Sequence, residues 1–206
     1  MTSEQPISYK HHRYPAGIIS HCVWLYFRFS LSFRDVDVYM AQRGVEVSYE
    51  SVRSWCEKFG LQYAKKIRRQ RGLMGDTWHL DEVYLKINDQ QKYLWRAVDQ
   101  EGQVLDILVQ AKRNKLAAEY FFKKVLRGTC HAPREVVTDK LTAYVQPCAH
   151  ILPSTTHIRY KGANNRAENS HQPTRQRERR MKRFKSAAQA QRYLSIFSEV
   201  GNLFAL

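Results

Sequence analysis

Three carboxylates, Asp81, Asp139 and Glu168, stand in short segments where an acid is hard to explain as ordinary surface. Asp81 lies in a strand-like run over 77–85, Asp139 ends a second such run over 134–139, and Glu168 opens a helical, very basic stretch. Carboxylates are the hard oxygen ligands that Mg2+ and Mn2+ prefer, and Mg2+ keeps several waters, so a few acids suffice. Two such ions about 3.5–4 Å apart activate an attacking oxygen and stabilise a leaving oxygen at a phosphodiester. Each acid also has a plain structural use. Alternation places Asp81 opposite Leu80 and Glu82 and on the side of Val83 and Leu85, a mainly apolar side where an unpaired carboxylate is costly. Asp139 could cap a helix starting near Leu141, and Glu168 could pair with Arg166 or Arg175 along a helix face. The case for chemistry rests on the three together, and so on the elements that position them.

Ahead of the acids, the spacing of Ile18, Cys22, Leu25 and Phe29 predicts a helix over 18–29. Ser32 with Asp35 three residues on is a capping-box pattern for a second helix, whose apolar face is Val36, Tyr39 and Met40. Ser48 opens a third, where Val52, Trp55, Cys56 and Phe59 recur on one face. The pair predicts a helix-turn-helix within 18–63, after a polar lead-in over 1–17. The outward face of its second helix carries Tyr49, Glu50, Arg53, Ser54 and Glu57, of which Tyr49 and Arg53 are candidate DNA contacts. The run over 65–72, with Lys65, Lys66, Arg68 and Arg69, reads as part of a basic, DNA-contacting linker over 64–75.

From residue 76 to 206 the rhythm is that of one α/β domain. Strands over 78–87, 93–99 and 104–109 predict an antiparallel meander. A helix from Asn114 to Gly128 follows, then a buried strand over 135–139, a short helix over 141–145 and a strand over 155–160. Residues 164–197 read as helical, kinked or broken near Pro173. This is the element order of the ribonuclease-H-like fold, the integrase-type catalytic core. In that fold the first and fourth strands are neighbours and the last helix packs across their edge. Asp81 would then bridge two metal ions, with Asp139 and Glu168 each holding one.

The formal charge of +15 and a pI near 9.8 point to a polyanion or an acidic surface as partner. Between 159 and 185, ten Lys or Arg face only two acids, Glu168 and Glu178. Lys140, Arg166, Arg175 and Arg179 are the candidate phosphate contacts beside the acids. The most apolar run, 18–29, contains His21 and Arg28 and is too short to span a membrane. A polar stretch follows Met1, so no signal peptide is expected and the chain is expected in the cytoplasm. The four cysteines form no C-x-x-C pair, which argues against a zinc ribbon or a disulfide framework.

Several ordered motifs resemble those of DDE transposases of bacterial insertion sequences, specifically the insertion-sequence-six family. They are Trp78-His79-Leu80-Asp81-Glu82-Val83-Tyr84, Lys92-Tyr93-Leu94-Trp95-Arg96-Ala97-Val98-Asp99, Val137-Thr138-Asp139-Lys140-Leu141-Thr142-Ala143-Tyr144 and Asn164-Asn165-Arg166-Ala167-Glu168-Asn169-Ser170-His171. Leu31-Ser32-Phe33-Arg34-Asp35 and Arg43-Gly44-Val45-Glu46-Val47 extend the likeness ahead of the core, so that it covers roughly residues 10 to 195. The resemblance implies a helix-turn-helix that binds terminal inverted repeats and a catalytic triad of Asp81, Asp139 and Glu168, with Arg175 as its companion basic residue. It also implies Mg2+ or Mn2+, two ions per site, strand cleavage followed by strand transfer, replicative transposition, and a homo-oligomer on DNA. Family members usually continue past the position of Leu203 into a further basic stretch, and this sequence ends at Leu206. A second expectation follows: a truncated, catalytically inactive relic that only binds DNA.

Overall fold

The computed structural model describes residues 7–160 and 164–203; Lys161, one of the ten basic residues counted above, lies outside them. At the centre is a five-stranded sheet of β1 (Thr77–Ile87), β2 (Gln90–Val98), β3 (Val104–Gln110), β4 (Glu135–Thr138) and β5 (Thr156–Arg159), in the order β3-β2-β1-β4-β5. The first three strands form the expected antiparallel meander, while β4 pairs parallel to β1 and β5 parallel to β4. Asn88 and Asp89, with φ of 48° and 58°, make the β1–β2 turn, the left-handed conformation that two-residue hairpins demand. This is the ribonuclease-H-like arrangement read from the sequence.

One face of the sheet is covered by α4 (Lys115–Thr129) and α5 (Val145–Ile151). Asn114 caps α4 by accepting from the Ala117 N–H at 3.1 Å. Trp78, Leu80 and Trp95 of the sheet bury against Phe121, Phe122 and Val125 of α4. At roughly 2–3 kcal/mol for each large side chain buried, this layer is a main source of stability.

The other face meets α1 (Ala16–Arg28), α2 (Phe33–Ala41), α3 (Tyr49–Gln70) and α8 (Ala187–Asn202), whose apolar residues share one core with Leu85, Ile87, Leu94 and Ile107. The predicted capping box is present: Ser32 Oγ accepts from the Asp35 N–H at 3.1 Å and Asp35 Oδ2 from the Ser32 N–H at 2.7 Å. Two expectations need correction. The basic stretch expected as a linker is mostly helix, because α3 runs on through Gln70. It is docked: Arg68 reaches Asp106 at 2.9 Å and Glu199 at 3.6 Å, and Arg71 reaches Glu199 at 3.5 Å. Gly128 leaves room for this, since a Cβ there would lie 2.0 Å from Arg68 Nη2. The helical region and the sheet therefore share a core instead of hanging on a tether.

The second correction concerns the C-terminal helical stretch, which has the expected break near Pro173 and one more, giving three pieces: α6 (Asn165–Ser170), α7 (Gln172–Arg180) and α8. Pro173 sits in the first turn of α7, where its missing N–H costs nothing. A second break at Lys182 and Arg183, with φ of 55° and 72°, lets α8 turn back onto β3. There the Asn202 side chain bonds the backbone N–H and C=O of Val104 at 2.8 and 2.9 Å, and Gln191 takes the Val109 N–H at 2.8 Å. These amides cover hydrogen-bonding groups that an edge strand would otherwise expose.

Candidate active site

The parallel pairing of β1 with β4 ends at Leu80 opposite Thr138, so the next residues, Asp81 and Asp139, leave the ladder side by side. Carboxylate oxygens of Asp81, Glu82 and Asp139 all lie within 4.8 Å of one another. Two of the three expected acids are thus together, with a third that the sequence argument set on the far face. Glu82 was assigned to the side of Leu80, and Leu80 is itself buried against α4, so Glu82 continues a buried face and its side chain is wholly inaccessible. The signal was available: Trp78, Leu80 and Glu82 alternate on one side of β1.

Glu82 is fully partnered. Its Oε1 accepts from Arg113 Nε and its Oε2 from the Tyr144 hydroxyl. Burial nevertheless dominates and raises its pKa to about 7, against the Tyr144 hydrogen bond and the Arg113 charge, with Asp139 and Asp81 adding to the rise. Burial also raises the Tyr144 hydroxyl well above its ordinary value. Asp139 is less enclosed. Its Oδ1 accepts from the Leu141 N–H at 2.8 Å, closing a turn ahead of the helical turn over 142–144 without capping it as expected, and its Oδ2 lies 3.5 Å from Arg113 Nη2. Asp81, with a side chain 13% exposed, has Oδ2 3.4 Å from Nε2 of the buried His171. Burial pushes the His171 pKa down, and the contact with Asp81 opposes that shift.

Glu168 stands apart from this cluster, exposed on α6. The placement has a clear cause. Asn164 donates to the Leu80 carbonyl at 2.8 Å, fixing the start of α6 beside β1. Its far end is held by Arg96, which donates to the Ser170 carbonyl and, at 2.5 Å, to Thr174 Oγ1. Between these anchors Ala167 faces the sheet, and one further residue turns Glu168 about 100° away. Arg96, across the ladder from Asp81, is enclosed enough that its pKa falls to about 10.

The expected DNA contacts divide. Tyr49 and Arg53 are exposed on the first turns of α3, with Arg53 paired to Glu57 at 3.2 Å and Arg34 lying over the Tyr49 ring. Lys65, Lys66 and Arg69 are exposed on its later turns, but Arg68 is turned inward, as described above. Lys140, Arg166, Arg175 and Arg179 are exposed, and Arg166 also donates to the Gln100 carbonyl. One member of the basic run departs from it: Arg177 is buried and donates to Tyr193 Oη at 2.5 Å, Leu31 O at 2.8 Å and Tyr26 O at 3.2 Å. No helix among the described residues is long and apolar enough to cross a membrane, and Cys22, Cys56, Cys130 and Cys148 are all free.

The donor set suits a divalent cation. The Glu82 side chain is wholly inaccessible with a donor on each oxygen, whereas those of Asp81 and Asp139 are partly exposed and are the carboxylates an ion can reach. Hard oxygens converging at the end of paired strands favour Mg2+ or Mn2+ over thiolate- or imidazole-seeking metals.

Comparison with known proteins shows the family. Residues 75–205 match the DDE domain family DDE_Tnp_IS240. The transposase for the insertion sequence-like element IS431mec of Staphylococcus aureus (strain Mu50) is 26% identical over 184 residues, covering 87% of this chain and 82% of that protein. The Staphylococcus aureus transposase for the element IS257 in transposon Tn4003 matches with the same identity and coverage. Among solved structures, the catalytic core domain of BIV integrase superposes at a TM-score of 0.42 with 13% identity, covering 60% of this chain and 82% of that one. At that score the fold assignment stays with the strand order seen here.

Proposed function

We infer function from one premise: the chain belongs to the DDE transposase family of insertion sequences. The general activity is therefore DNA transposition by DDE chemistry. In finer terms, the protein cuts DNA at the terminal inverted repeats of its element and joins the freed 3′ ends to target DNA, replicatively, as a homo-oligomer holding both ends. The observation that carries this is the juxtaposition of Asp81 and Asp139 at the end of the β1–β4 pair.

Asp81 and Asp139 would hold the divalent ions, two per site, and Glu168 would complete the ligand set once α6 turns toward them. Bound Mg2+ or Mn2+ supplies activation of the attacking oxygen and stabilisation of the leaving one. The chain's own residues do the rest. Asn164 and Arg96 anchor the two ends of α6 beside β1 and β2. His171 Nε2 lies against one side of the Asp81 carboxylate. Lys140, Arg166, Arg175 and Arg179 bind phosphates flanking the scissile bond, while Tyr49, Arg53, Lys65, Lys66 and Arg69 track DNA along α3. In the first step water attacks phosphorus and the 3′ oxygen leaves, taking a proton. In the second, that 3′-hydroxyl attacks a target phosphodiester and a target 3′ oxygen leaves in its turn.

The test uses labelled duplexes carrying the inverted repeats that flank the gene. Mg2+-dependent nicking and joining should be lost in Asp81→Asn, Asp139→Asn and Glu168→Gln with DNA binding retained. Undiminished joining in all three variants would overturn the assignment. A second reading, a DNA-binding relic without cleavage, draws support from the exposed position of Glu168 outside the acidic cluster. Specific binding of the repeats by wild-type protein with no cleavage in either metal would establish it.

A further inference from the structure

A cluster of three carboxylates without a cation is electrostatically incomplete, and this one has a cation already. Arg113, on the loop between β3 and α4, spans it: Nε donates to Glu82 Oε1 and Nη2 lies 3.5 Å from Asp139 Oδ2. The two contacts differ in kind. Glu82 is wholly buried and holds the guanidinium from below, its second oxygen secured by Tyr144. Asp139 is 31% exposed, its contact with Arg113 is long, and its other oxygen is fixed by the Leu141 N–H. The Arg113 side chain is 40% exposed, so its outer end is open to solvent.

We propose that Arg113 is the resident counter-cation of the acidic cluster, held by Glu82, and that a divalent ion must displace it from Asp139 in order to bind. The proposal rests on Asp81 and Asp139 being the metal-holding pair. It gives the buried Glu82 a purpose the triad does not. Glu82 is a positioning residue that keeps Arg113 tethered while Asp139 exchanges one positive partner for another. Once displaced from Asp139, the guanidinium stays at the site, with its planar fork turned outward toward the DNA backbone, where it suits a phosphate. The exchange also keeps three neighbouring acids from repelling one another before the metal arrives.

The sign of one measurement separates this from a merely structural role. A guanidinium that competes with the metal weakens metal binding, and one that only orders the carboxylates strengthens it. Mn2+ binding to the DNA-free protein, followed by the electron paramagnetic resonance signal of unbound Mn2+, should tighten by about tenfold in Arg113→Gln. Arg113→Lys, which keeps the charge, should stay within about threefold of wild type. The double variant Glu82→Gln with Arg113→Gln removes the buried charge together with its partner, guards against misfolding of the single variant, and should also bind more tightly than wild type. Unchanged or weaker Mn2+ binding in both glutamine variants, with folding confirmed by circular dichroism, would overturn the proposal. Asp139→Asn keeps the two failures apart. If wild type binds Mn2+ and Asp139→Asn does not, an unresponsive Arg113→Gln sinks only the displacement idea. If Asp139→Asn binds Mn2+ as wild type does, the metal-holding pair itself is wrong and this proposal falls with it.

Discussion

Arg177 belongs by sequence to the basic run and by structure to the core, and its removal should act on stability and not on DNA. In Arg177→Ala three neutral acceptors, Tyr193 Oη, Leu31 O and Tyr26 O, lose a charged donor. At about 1.5 kcal/mol for each such bond the gross loss is about 4.5 kcal/mol. The guanidinium also lies 4.6 Å from the Tyr26 ring centroid and 5.5 Å from that of Tyr193, and each contact adds roughly 0.5–1 kcal/mol. Against this, the variant no longer has to desolvate a guanidinium, which returns about 3 kcal/mol. The net expectation is a destabilisation of about 3 kcal/mol, read as a lower urea midpoint with an unchanged slope. The salt dependence of DNA binding should stay as in wild type, while Arg175→Ala and Arg179→Ala should each reduce that slope by about 1 with little effect on stability. A loss of stability below about 1 kcal/mol in Arg177→Ala, or a reduced salt slope, would refute the reasoning.

Three further outcomes can be checked by simple measurements. Burial, reinforced by Arg159, holds the His157 pKa below its ordinary 6.5; the unfolded chain therefore takes up the proton first, stability is full above 6.5 and falls as pH drops below it, and His157→Gln should flatten the fall seen in thermal unfolding between pH 7 and pH 5. Asn202→Ala leaves the Val104 backbone groups unpaired, which should cost about 1–2 kcal/mol and promote self-association, visible by sedimentation velocity. A Cβ at Gly60 would lie 2.9 Å from Ile196 Cδ1 and 3.3 Å from Phe27 Cε2, so Gly60→Val should destabilise by about 2–3 kcal/mol in urea unfolding where α1, α3 and α8 converge.

Local patterns were legible in the sequence because their causes are local. The Ser32–Asp35 box and the start of α4 at Asn114 depend on neighbours a few residues away. The meeting of Asp81 with Asp139 followed from strand order, which the elements dictate once their sequence is known. What depended on distant partners was not legible. The inward turn of Arg68 is set by Asp106 and Glu199, and that of Arg177 by Tyr26, Leu31 and Tyr193, none of them near in sequence. The same holds for α3, which continues through the basic run because side chains far along the chain receive it. Asp81 looked the costlier acid because the apolar residues beyond it were counted, whereas Tyr144 and Arg113 enclose Glu82 from other elements. Glu168 does lie on a helix, but the residues that set its facing, Leu80 and Arg96, are on strands far from it in sequence.

The length of α3 carries a geometric consequence. At 22 residues it is a rod of about 33 Å, bonded at its carboxyl end to the layer that carries the acids. If its first turn seats on DNA, the chain works as a calliper with one fixed jaw: the interval between the seated bases and the cut phosphate is ruled by helical rise, and no slack is available to adjust it.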